Sequence, residues 1–278
     1  MTPRLTPRLT TTADAALAPL GALAALGAFT RATPALLAER ELLRRIDHKY
    51  VLDRARLGEL LGALAAEYAV LPVGEGGAAI YQNLYFDTPE LRCFHDHRRG
   101  RRIRHKVRIR HYPDRELSFL EVKTKRSEVI TDKQRRRIDF SREQLDAVDL
   151  AFLREHTGEL AGALAPAVRV DYRRVLLFHP RLPERLTIDL GLEAGRGDDR
   201  APLGALAIVE IKRAPGGAPR TPAMRALAAL GVRERSLSKY CAAMALIHPT
   251  VRHNRLRPAL RVLHGLQGLQ GLQGLQGS

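Results

Sequence analysis

The stretch Arg102-Ile-Arg-His-Lys-Val-Arg-Ile-Arg-His-Tyr112 decides how the rest of this chain is read. Arg102, Arg104, Lys106, Arg108 and Arg110 alternate with Ile103, His105, Val107, Ile109 and His111. Successive side chains of a β-strand point to opposite faces, so this period of two predicts a strand carrying all five cations on one side. Same-face neighbours stand about 6.6–7 Å apart, which makes a positive rail roughly 27 Å long. Such a row suits an extended anion, because guanidinium forks hold phosphate oxygens bidentately. Edge strands also carry Lys and Arg to discourage aggregation, so the rail needs company to mean more than solvation.

That company lies further along the chain. Glu121 and Lys123, Arg185 and Asp189, and Glu210 and Lys212 each share parity within a short segment, while Leu120, Val122, Ile188, Val209 and Ile211 take the opposite parity. Period-two patterns predict strands at Arg45–Leu52, Arg102–Tyr112, Leu117–Lys125, Arg135–Phe140, Val168–Phe178, Arg185–Leu190 and Leu206–Lys212. Apolar residues at spacings of three and four predict helices at Arg54–Tyr68, Arg142–His156, Ala223–Leu230 and near Tyr240–Ile247, with Ser141 as a candidate cap for the second. Helices sit between hairpins rather than after every strand. The expected fold class is therefore α+β, an antiparallel β-barrel with helices packed outside. Ionic strand faces would line its lumen, the reverse of an ordinary barrel.

The whole-chain totals agree with a polyanionic partner. A formal charge of +16 and a pI near 10.6 leave nucleic acid, polyphosphate and an anionic membrane surface as the classes to weigh. Aromatic residues make up only 5% of the chain, with Tyr112 almost alone beside the rail, so base stacking has little to work with and no nucleic-acid partner is expected. Cys93 and Cys241 show neither disulfide nor zinc spacing, as expected of a cytoplasmic protein. The Ala15–Phe29 run is shorter than the ~20 residues of a membrane helix and is broken by Pro19, so no transmembrane span is expected. The expected organisation is an Ala-rich leader (1–38), one globular domain (39–248), and a basic tail (249–278) ending in four Gly-Leu-Gln copies.

No GxxxxGK loop, GxSxG elbow or HExxH helix occurs, which argues against a side-chain nucleophile. A hard divalent cation bridging phosphates still takes one or two protein oxygens. Glu210 is the first candidate for that role and Glu121 the second, each with Lys212 or Lys123 nearby as a plain charge-balance explanation. His48, His95, His97, His105 and His111 mostly alternate with the cations and are read as structural.

The motifs Arg45-Ile-Asp-His-Lys-Tyr50, Leu84-Tyr-Phe-Asp-Thr-Pro89, Arg104-His-Lys-Val-Arg-Ile-Arg110, Glu121-Val-Lys123, Lys133-Gln-Arg135, Tyr172-Arg173, Arg185-Leu-Thr-Ile-Asp189, Glu210-Ile-Lys212 and Ser238-Lys-Tyr240 follow in order from about Arg44 to Ala245. Together they resemble the VTC domain, the polyphosphate polymerase branch of the CYTH-like triphosphate tunnel metalloenzymes. The resemblance implies that Lys49, Arg108, Arg110, Lys123, Lys133, Arg173, Arg185, Lys212, Ser238 and Lys239 bind a phosphate chain or nucleoside triphosphate, with Arg104 and Lys106 completing the rail. It also implies that Glu210 holds Mn2+ or Mg2+ and that the γ-phosphate of ATP passes onto inorganic polyphosphate. Asp47 stands where the family usually carries Glu. Hydrolytic relatives usually place two glutamates in that strand, whereas this chain offers Arg45 and Asp47, which favours transfer over hydrolysis. A triphosphate hydrolase and a non-catalytic polyphosphate-binding module are the alternatives.

Overall fold

The computed structural model describes residues 21–39, 45–127, 131–197, 199–217, 219–235 and 237–248. The Gly-Leu-Gln tail lies outside these residues. The strands are β1 (Thr30–Arg31), β2 (Ile46–Asp53), β3 (Ala69–Val70), β4 (Ala79–Asp87), β5 (Arg104–Tyr112), β6 (Leu117–Lys125), β7 (Thr131–Ile138), β8 (Ala165–Phe178), β9 (Glu184–Arg196), β10 (Asp199–Pro202) and β11 (Leu206–Arg213). The helices are α1 (Gly21–Ala24), α2 (Pro34–Glu39), α3 (Leu57–Leu64), α4 (Arg92–Arg99), α5 (Ala147–Thr157), α6 (Pro222–Ala229) and α7 (Lys239–Ile247).

The main sheet runs β2-β11-β9-β8-β4-β5-β6-β7, antiparallel throughout. Among the described residues no ladder joins β2 to β7. The sheet is nevertheless strongly curled, because Lys123 on β6 lies within electrostatic reach of Lys49 and Asp47 on β2 and of Glu210 on β11. Register irregularities at Tyr85/Phe86 and at Asp171/Arg173 fall in the central strands β4 and β8, and bulges of this kind add the local twist that bends a sheet.

Each face of the curled sheet follows from the alternation in the sequence. The convex face is apolar and is covered by helices. Leu57, Leu60, Leu61 and Leu64 of α3, with Ala223 and Leu227 of α6, bury Val175, Leu177, Leu186, Ile188, Val209 and Ile211. Leu153 of α5 packs on Leu84, Val107, Ile109, Leu120 and Val122. α5 starts later than its pattern predicts, since Asp146 rather than Ser141 caps it through a reciprocal capping box with Asp149, and the preceding Ser141 has a positive φ of 62°. Within the stretch read as a leader, Leu26 and Phe29 join the α3 cluster and β1 pairs with β3.

α7 takes the other face. Tyr240 to Ala245 are all buried, against Tyr85, Val168, Val170, Tyr172, Leu192, Leu206 and Ile208. These partners share parity with the cations, so α7 fills one end of the concavity, with α4 beside it, instead of packing outside. Among the described residues no helix is long and apolar enough to cross a membrane.

Candidate functional site

Cross-strand partners share a face, so the registers state which charges meet. Lys49 pairs with Glu210, and Asp47 with Lys212. Lys212 then pairs with Arg185, Glu210 with Thr187, and Ile208 with Asp189. Asp189 pairs with Arg174. On the other flank, Asn83 pairs with Arg110 and Tyr85 with Arg108, Arg108 with Glu121 and Lys106 with Lys123, and Lys123 with Lys133 and Glu121 with Arg135. All of these side chains belong to the concave face.

Three layers of this face carry different electrostatics. In the first, the Arg108 guanidinium clamps Glu121 through Nε at 2.8 Å and Nη2 at 2.6 Å, and Lys133 closes the other carboxylate oxygen at 2.5 Å. Burial alone would raise the Glu121 pKa, yet Arg108, Arg110 and Lys133 hold it well below the carboxylate range. In the second, Asp189 is fully buried and receives Arg174 at 2.5 and 2.8 Å and Lys239 at 2.5 Å. Its pKa falls to about 2, the pull of Arg174 and Lys239 outweighing desolvation. In the third, Lys106, Lys123 and Lys133 stand side by side on β5, β6 and β7 with no carboxylate in their row. Among the described residues neither Lys106 nor Lys123 makes an ion pair or side-chain hydrogen bond. Burial, then the neighbouring Lys123 and Lys49, push Lys106 down to about 7.

Glu210 lies between Lys212 and Lys49, the latter at 3.7 Å. Those lysines overcome the effect of burial and keep it ionised. Its side chain retains 17% exposure, against 2% for Glu121. The two metal candidates therefore differ. Both oxygens of each carboxylate face a cation, but Glu121 is clamped in the wall by the Arg108 fork, whereas Glu210 is the more exposed and faces the lumen beside Asp47, with lysines that an incoming phosphate can draw away. Among the described residues no group of three or more His, Cys, Asp or Glu side chains could hold a metal. A single carboxylate still fits Mg2+ or Mn2+, ions that are commonly held by one or two carboxylates plus substrate phosphates and water.

The sequence-predicted residues are largely brought together. Lys49, Lys106, Arg108, Arg110, Lys123, Lys133, Arg185, Lys212, Glu121 and Glu210 share the concave face. Ser238 accepts from the Cys241 N–H at 3.3 Å and so caps α7, which points Lys239 at Asp189. Arg104 lies at the rim, its Nη1 donating to the Arg101 carbonyl at 2.6 Å. Arg102 precedes the strand and is exposed. Arg173 is the exception, because it pairs with Leu190 and Ile80 on the convex side. The irregularity beside it leaves Arg174 as the residue that enters the concave cluster.

Tyr112 is not alone beside the rail, and the sequence expectation is corrected here. Arg110 lies 5.1 Å from the Tyr81 ring and 5.9 Å from that of Tyr112. Arg108 is 5.7 Å from Tyr85, Arg174 is 4.7 Å from Tyr81 and 5.3 Å from Tyr172, and Lys239 is 5.1 Å from Tyr172. Apart from Tyr112 these rings come from the neighbouring strand β4 and from β8, outside the rail itself. They brace the cations by cation–π attraction, with Tyr81, Tyr85 and Tyr172 buried themselves. Asn83, the Arg110 acceptor at 2.7 Å, was also missed. Only its parity with Tyr81 and Tyr85 could have marked it.

Of the histidines singled out above, His48, His105 and His111 take the convex parity of β2 and β5, and His95 and His97 lie on α4. His111 meets Ser118 at 2.6 Å, His105 meets Thr124 at 3.0 Å, and His97 meets the His105 carbonyl at 3.2 Å.

Residues 44–248 match the model of the VTC domain family. Among solved structures, a putative adenylate cyclase from Bacillus halodurans matches with a TM-score of 0.44 and 11% identity, over 70% of this chain and 94% of that one. A Hippeastrum protein, described as a putative adenylyl cyclase with a dominant triphosphatase activity, matches with a TM-score of 0.43 and 14% identity, over 72% and 95%. A protein from Pyrococcus horikoshii OT3 matches with a TM-score of 0.41 and 12% identity, over 73% and 100%. No curated protein matches the chain.

Proposed function

The chain belongs to the VTC domain family, and from that premise we propose that it is a polyphosphate polymerase, passing the γ-phosphate of ATP onto a growing inorganic polyphosphate chain held along the concave face. The observation that carries this reading is the Lys106-Lys123-Lys133 row. Three ammonium groups on adjacent strands, two of them without an ion pair among the described residues, repel one another until an anion lies across them. The terminal oxygen of the polyphosphate attacks the γ-phosphorus, the bond from that phosphorus to the bridging oxygen breaks, and ADP leaves. No protein nucleophile is needed. Lys106, Lys123, Lys49 and Arg110 would hold the phosphates in line and take up charge as it develops. Lys133 would join them on releasing Glu121. Glu210 would hold Mn2+ or Mg2+, which supplies further charge neutralisation when bound. The scarcity of lumen carboxylates, with Asp47 turned toward Arg45 at 3.1 Å, favours transfer over hydrolysis.

The test is incubation of the purified protein with ATP and Mn2+, with and without a short polyphosphate primer, with products resolved on a polyphosphate gel beside Glu210→Ala. Long chains that vanish in the variant are expected. Free phosphate alone would assign a hydrolase. Tripolyphosphate binding without turnover would leave a binding module.

A further inference from the structure

The cationic face continues past the end of β5. Arg104 and Lys125 oppose each other across the β5–β6 ladder, one step outward from Lys106 and Lys123. Beyond them lie Arg101 and Arg102 before β5 and Arg126 after β6, all exposed. α4 ends against the same loop with Arg98 and Arg99 in its last turn, and Gly100, at a φ of 71°, reverses the chain. Carboxylates are few here. Arg126 has Asp132 at 2.5 Å, but Arg101 and Arg102 make no ion pair among the described residues. The Nε of Arg104 is buried without a hydrogen-bond partner. A helix C-terminus explains cations at Arg98 and Arg99. It does not explain two further arginines beyond the helix, nor a guanidinium nitrogen that is desolvated and unmatched.

Resting on the reading of the concave face as a phosphate site, we propose that Arg101, Arg102 and Arg104 form an outer polyanion subsite. It holds the part of a polyphosphate chain that extends beyond the lumen. Charge complementarity and continuity with the Lys106-Lys123-Lys133 row select this occupant, since a chain lying on that row and leaving past Arg104 and Lys125 meets these arginines next. The rail from Arg104 to Arg110 is about 20 Å long, so a short triphosphate is satisfied inside it and only a longer chain reaches the rim.

Affinity of the full chain for tripolyphosphate and for long-chain polyphosphate, each over a salt series, tests this with Arg101→Ala/Arg102→Ala. The double variant is expected to bind long chains about fivefold more weakly, with a log–log salt slope shallower by about 1.5, since two phosphate contacts are removed, while tripolyphosphate affinity stays within error. Arg101→Lys/Arg102→Lys, which keeps the charge, is expected to recover most of the loss. Unchanged melting of both variants separates this effect from misfolding. Equal losses for both ligands, or a loss for neither, would overturn the subsite. A loss confined to a single-stranded oligonucleotide would instead make the rim a nucleic-acid surface. Wild-type protein that ignores tripolyphosphate would sink the lumen reading itself, and the long-chain contrast would still report on the rim.

Discussion

At the scale of single residues, the adjacent arginines of β8 offer a sharp contrast. Arg174 forks onto fully buried Asp189 and is stacked by Tyr81 and Tyr172. Removing Arg174 strips the forked partner from Asp189 and leaves Lys239 alone to balance it, so Arg174→Ala is expected to destabilise the fold by about 1.5–3 kcal/mol, the range for hydrogen bonds to a charged group. Arg173→Ala, on the half-buried convex side, should cost about 0.5 kcal/mol. Urea unfolding of the two variants checks this, and equal costs would contradict the register of β8. Lys106 yields a pH prediction. Its folded pKa of about 7 lies below the ordinary lysine value of 10.5. Below pH 7 the residue is charged in both states and the burial cost is felt in full. As pH rises from about 7 toward 10 the folded state sheds its proton while the unfolded chain keeps it, so stability rises. The melting temperature of ligand-free protein should therefore climb across that window, and Lys106→Met should flatten the climb. Stabilisation by tripolyphosphate should shrink over the same range.

At the scale of elements, α7 depends on a remote anchor. The Tyr240 hydroxyl donates to Asp87, whose carboxylate also accepts from the N–H groups of Thr88, Cys93 and Phe94. One side chain thus joins the end of β4, the start of α4 and the inside of α7. Tyr240→Phe should cost about 1.5–3 kcal/mol in urea unfolding, the range for a hydrogen bond to a charged group. It should weaken tripolyphosphate binding in the wild-type background but add nothing to the loss already caused by Lys239→Ala. Elements also show what the sequence made legible. The alternating strands β5, β6 and β11 read directly, because one face is ionic and the other apolar. β4 was missed as a strand, since Ala79-Ile-Tyr-Gln-Asn-Leu-Tyr-Phe-Asp87 is buried on both sides and loses its alternation. Arg92–Arg99 was missed because its charged composition hides the apolar pair Cys93 and Phe94. The placement of α7 was not legible either, as a helix buried nearly all round carries no amphipathic signal of which side it takes.

At the scale of the molecule, an inside-out distribution of charge was foreseeable from parity alone, since each strand declares its ionic face. The partners across the concavity were not, because curvature comes from twist and from irregularities in β4 and β8 that no local pattern announces. That inability is clearest in the choice between Arg173 and Arg174, where one irregular step exchanges the faces. The same curvature concentrates like charge, so the protein's thermal stability should increase with added phosphate or sulfate more than with chloride at equal ionic strength. Differential scanning calorimetry over such a series would measure it, and identical curves for all salts would mean the concave charges are already balanced.

The order of the sheet sets a schedule for synthesis. β2 is made before the meander, yet among the described residues its ladder is to β11, beginning at Leu206. Meanwhile β4 to β7 form a meander whose β5, β6 and β7 are joined by short connections. A nascent chain therefore carries a curled half-sheet lined with lysine and arginine well before the strands bearing Asp189 and Glu210, or the helix bearing Lys239, have been made. If the meander pairs as it emerges, the growing polypeptide is expected to spend that interval as a cationic open trough beside a ribosome built largely of polyanion. Early, transient contact with phosphate-rich surroundings is the expected consequence of placing β11 and α7 after the meander in the chain.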